Sequence, residues 1–159
     1  MNDKLLSIYL NDHLTGATAG VELAKRALSN NEGTPYGTLL AELVRDIEAD
    51  RSELQDLIER LGFAQDRVKQ AAAWAAEKVG RLKLNGQLTG YSPLSRLVEL
   101  EGVRLGIEGK LCLWRTLSDI ADQDSRLAVS DFAELIRRAE TQIEGLEKYR
   151  LEAANEALS

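Results

Sequence analysis

The sequence predicts an all-α four-helix bundle, and three observations carry that expectation. Apolar residues recur at three- and four-residue spacing along stretches of roughly 28 residues, about 40 Å of helix at 1.5 Å per residue. No segment alternates apolar and polar side chains for long enough to make a strand. The two prolines, Pro35 and Pro93, each follow a hydroxyl residue at the head of a periodic stretch, where a missing N–H costs a helix nothing. With 159 residues, 44% of them hydrophobic, the chain suits one domain, 1–159, with a real core.

The elements follow in order. A first helix is expected over 3–29, with a stripe of Leu6, Leu10, His13, Ala17, Gly20, Ala24 and Ala27. Thr34 caps the second, 35–61, whose stripe is Leu40, Leu43, Ile47, Asp50, Leu54, Leu57 and Leu61, and Gly62 supplies its C-terminal turn. Asp66 heads a short alanine-rich helix, 66–81, around Trp74. Ser92 caps the next, 93–121, and Asp131 with Glu134 three residues on starts the last, 131–157. The loops at 30–34 and 122–130 are short, so each joins antiparallel neighbours. The joint at 62–92 is long enough to return along the whole bundle, which makes two antiparallel hairpins linked by a crossover.

That arrangement resembles the ferritin-like superfamily, over nearly the whole chain. Di-iron members of that family carry Glu-x-x-His on two helices. Here the sole histidine is His13, and Leu10 stands three residues before it. No metal ligand of the family therefore maps onto this chain. The resemblance is to a bacterial ferritin-like bundle without the di-iron centre.

Composition narrows the function classes. The net charge is −6 and the pI about 4.9, which disfavours general nucleic-acid binding, and no aromatic-basic recognition motif is present. One cysteine excludes a disulfide framework, and one histidine excludes the usual multi-histidine metal sites. Apolar runs fall far short of the ~18 residues a membrane span needs. The N-terminus lacks the form of a signal peptide, and the expectation is a cytoplasmic protein with no cofactor.

Polar residues interrupt the apolar stripes. Folding the first hairpin about its loop sets His13 level with Asp50, which suggests an imidazole–carboxylate pair fixing helix register. Folding the second hairpin about residues 125–126 sets Glu101 level with Arg150, a second candidate buried pair. Glu108 lies mid-helix opposite Ile143. An alternative reading has His13, Asp50 and Glu108 converge on one divalent ion or redox site. Gly16, Gly20, Gly102, Gly106 and Gly109 stand inside otherwise good helices, at roughly 1 kcal/mol each against alanine. Close helix approach is one explanation, and a cleft for a flat small ligand is the other. Cys112 reads as a small core residue.

The 93–121 helix carries two stripes, Leu97, Leu100, Arg104, Ile107, Leu111 and Trp114 beside Leu94, Val98, Glu101, Leu105, Glu108 and Cys112. Two apolar faces predict a homodimer, with Leu97, Leu100, Ile107, Leu111 and Trp114 at the interface. Residues 66–96 add a basic strip of Arg67, Lys69, Lys78, Arg81, Lys83 and Arg96 against only Asp66 and Glu77, which would pack on acidic helices of the same chain or of a second copy. The leading expectation is a non-enzymatic, self-associating interaction or accessory protein. A degenerate metal or redox protein and a small-ligand carrier are the alternatives. No other partner is named by the sequence.

Overall fold

Small polar side chains start each long helix among the described residues, and Thr34, Ser92 and Asp131 are the caps that the sequence marks. The computed structural model describes residues 1–65 and 90–159. Its long helices are α1, Asp3–Asn30; α2, Pro35–Arg60; α3, Pro93–Ile120; and α4, Phe132–Leu158. The Thr34 hydroxyl accepts from the Gly37 N–H at 3.2 Å and the Ser92 hydroxyl from the Ser95 N–H at 3.1 Å. Asp131 caps α4 by accepting from the Glu134 N–H at 3.0 Å, and Asn2 does the same for α1 through Leu5. Gly62 ends α2 with φ +74°, a left-handed conformation that side chains resist, while the Phe63 N–H closes onto the Ile58 carbonyl at 3.1 Å. No strand occurs among the described residues.

Tight turns set the pairing. α1 and α2 form one antiparallel hairpin, and α3 and α4 form the other across a 3₁₀ turn at Ala121–Gln123. The hairpins meet along α1 and α3, which run in opposite directions, since Arg26 near the end of α1 reaches Glu99 near the start of α3. Asn11, near the head of α1, holds the Ala64 carbonyl, whereas Asn31, at its tail, holds the Tyr91 hydroxyl. Residues 64 and 91 thus stand at opposite ends of the bundle. The expected helix at 66–81 lies outside the described residues, as do Arg67, Lys69, Lys78, Arg81 and Lys83 of the basic strip.

The core forms two apolar clusters. One holds Leu6, Leu10, Leu14, Leu54, Leu57, Trp114, Leu117, Leu127 and Phe132; the other holds Val21, Ala24, Leu40, Leu43, Leu100, Val103, Ile107 and Leu146. Leu97, Leu100, Ile107, Leu111 and Trp114 are all buried in these clusters, so the expected dimer interface is intramolecular core. α3 touches both α1 and α4 and needs a wide apolar stripe. Of its second stripe, Leu94 and Val98 are half-buried, whereas Leu105 is 71% exposed and Cys112 is exposed rather than a core filler.

At the end of the α3–α4 connection, Leu127 plugs the first cluster and Arg126 ties the loop down, bonding Asp124, Asp3 and the Leu61 carbonyl. The Arg126 guanidinium, with its backbone N–H, holds the Asp124 carboxyl down at about 2.

Gly37 sets the tightness of the first hairpin. A Cβ there would lie 2.3 Å from the Asn31 carbonyl oxygen. Gly37→Ala should therefore cost roughly 1–3 kcal/mol, read as a fall in the urea midpoint. An unchanged midpoint would show that this turn can open without penalty.

Candidate functional site

Asp50 sits on the buried face of α2 with its side chain 2% exposed. A carboxylate at that depth survives only if its charge is met. Two cations meet it: Lys110 of α3 at Oδ2 and Arg138 of α4 at Oδ1. Gln142, also on α4 and buried, donates to Oδ2 at 3.2 Å and accepts from the Lys110 ammonium. Both Asp50 oxygens are thereby used. Burial pushes the Lys110 ammonium below its usual range, and the Asp50 charge opposes that shift without cancelling it.

Beside this layer lies a cavity of about 390 Å³, at the small end of ligand-sized sites. Among the described residues, α1 lines it with Tyr9, Asp12, His13, Gly16, Ala17 and Gly20, α2 with Ile47, Asp50, Arg51 and Leu54, and α3 with Val103, Leu105, Gly106, Ile107, Gly109, Lys110, Leu113 and Trp114. The helical glycines divide into two uses. Gly102 lets α3 approach α1, because a Cβ there would lie 2.8 Å from Leu23 Cδ2. Gly16, Gly20, Gly106 and Gly109 line the cavity, and a Cβ on any of them would meet none of the described residues within 4 Å. Gly16 and Gly106 are exposed, which places the mouth on the α1–α3 face.

Two polar atoms of the wall lack a partner among the described residues. Trp114, 1% exposed, has its indole N–H buried with no acceptor, and so has the Arg51 Nε–H. Such groups are uncommon in folded proteins and call for an explanation.

The structure places the sequence-predicted residues as follows. His13 and Asp50 line the same cavity, but no hydrogen bond joins them. The His13 ring packs edge-on against Tyr9 instead, at 4.6 Å and 71°. Burial pushes its pKa below 6.5, with Asp12 opposing. Glu108 points away from both, pairing with Arg104 at 3.4 Å on the surface. Among the described residues no three His, Cys, Asp or Glu side chains gather to hold a metal, so the His13, Asp50 and Glu108 convergence is not formed. Arg150 does reach Glu101, at 3.4 Å, but on the exposed rim, and its shorter bonds go to Glu147. Arg96, the described member of the basic strip, is held by Asn31 and Glu156 and lies 4.5 Å from the Tyr36 ring centre.

Sequence reading missed Lys110, Arg138 and Gln142, and also a second buried polar knot. Glu99, 5% exposed, accepts from Arg26 at 3.0 Å, from Tyr91 at 3.0 Å and from Asn30. Burial raises the Tyr91 phenol far above its ordinary value. Charged or amide residues inside an apolar run were the available signal in both places.

Comparison of the chain with protein-family models, with curated proteins and with solved structures finds no match.

Asp50→Ala strands the Lys110 and Arg138 charges, and should cost about 3–5 kcal/mol in urea unfolding. A loss below ~1 kcal/mol would show that both cations escape to water. His13 gives a pH dependence. Its folded pKa lies below the unfolded 6.5, so its contribution to stability is intact above that pH and is lost as the pH falls from 6.5 towards the folded value. Between about pH 7.5 and about pH 5, the urea midpoint should fall more for the natural chain than for His13→Gln. Parallel curves would remove His13 as the cause.

Proposed function

We propose that this protein is a non-enzymatic carrier or sensor of a small, largely apolar ligand held at mid-bundle. The single observation carrying the reading is the cavity lined by four helical glycines at which a Cβ would meet no described residue. A glycine inside a helix is disfavoured by about 1 kcal/mol against alanine, and close packing explains Gly37 and Gly102 but none of these four. Space kept open at that cost, between Ile47, Leu54, Val103, Ile107 and Leu113, suits an apolar body. The buried Trp114 N–H offers one directional contact. We read the two hairpins and the joint at 62–92 as a ferritin-like arrangement without its metal chemistry.

An uncharged flat aromatic, 2-naphthalenemethanol, tests the reading. It should quench tryptophan fluorescence saturably at a single site with a Kd in the micromolar range, about −8 kcal/mol or weaker. Gly109→Leu fills the cavity and should weaken binding at least tenfold while the urea midpoint holds or rises. Unsaturable quenching, or equal affinity in Gly109→Leu, would overturn the proposal.

A further inference from the structure

Resting on the cavity reading, we infer that the natural ligand is an amphipathic monoanion, with its flat apolar body between the glycine faces and a carboxylate-type group received by Arg51 and Trp114. The two unpartnered buried atoms of the cavity wall are both donors, Arg51 Nε and Trp114 Nε1. A ligand acceptor completes them, whereas a pure hydrocarbon would leave them unsatisfied. The buried carboxylate of the wall is already engaged, since Asp50 Oδ1 takes Arg138 and Oδ2 takes Lys110 and Gln142, and the unpartnered Asn11 Oδ1 does not line the cavity.

Charge points the same way. Among the described residues lining the cavity, Lys110 is paired with the buried carboxylate of Asp50 and Asp12 is exposed at the rim, whereas the Arg51 guanidinium forms no ion pair. His13 adds no charge near neutral pH, because burial disfavours its protonation. A cationic ligand would meet the Arg51 guanidinium as repulsion, and an anion would pair it. The volume of about 390 Å³ and the apolar walls exclude a hydrated polyanion. What fits is one negative group on a compact apolar frame.

The test compares 2-naphthoate with 2-naphthalenemethanol, which share a frame and differ in charge, by calorimetry on the full chain. Naphthoate should bind at least tenfold tighter. Arg51→Met, which keeps an apolar stem, should bring naphthoate to the alcohol's affinity and leave the alcohol unchanged. Arg51→Lys should keep the preference for naphthoate, and it covers the case in which the methionine variant does not fold. Equal affinities in the natural chain, or a preference that survives Arg51→Met, would overturn the anion inference while leaving the cavity reading intact. If neither compound binds saturably, both fall together.

Discussion

One buried carboxylate organises the middle of this bundle. Asp50 has left water almost completely, and the attraction of Lys110 and Arg138 must offset a desolvation cost of several kcal/mol per ion. Because its ligands come from α3 and α4, the carboxylate fixes three helices relative to one another in rotation and in height. Leucine contacts could slide by a turn with little loss. This network cannot, because any shift leaves a charge unpaired at depth.

The same constraint explains why the apolar core is divided. Asp50 and Lys110 lie in the chain between residues of the two clusters, Ile47 and Leu54 on α2 and Ile107 and Trp114 on α3. α1 contributes no side chain to the network, and opposite it presents Gly16, Ala17 and Gly20. Small residues facing a polar layer cannot fill the space that long apolar side chains fill elsewhere. The cavity is therefore a direct consequence of which residue types meet at mid-height.

At the far end of α1 a second set of buried polar groups acts on the chain entering α3. Glu99 and Asn31 together hold Tyr91, and Arg96 spans Asn31 and Glu156. The entry to α3 is thereby tied to both the first hairpin and α4. With Arg126 pinning the opposite end, each end of the bundle carries a cationic clasp, and the middle carries an anionic one.

The sequence by itself determined the helices. Periodicity and caps such as Thr34, Ser92 and Asp131 are local properties, carried by spacing and by side-chain bonds to N–H groups three residues away. It also marked Asp50 as an anomaly and the helical glycines as needing a reason. What it could not give was the partner of either. Reflection about a hairpin loop predicts which residues share a height, but not which way each side chain faces. At 3.6 residues per turn the buried face of α1 passes from Leu10 to Leu14, leaving His13 at the flank against Tyr9. Asp50 turns inward instead and meets α3 and α4, distant in sequence. Only the packing of the two hairpins decided that pairing, and with it that four glycines would line the cavity while Gly102 closed against Leu23. Burial and rotation about the helix axis are properties of the assembled bundle, and no single helix encodes them.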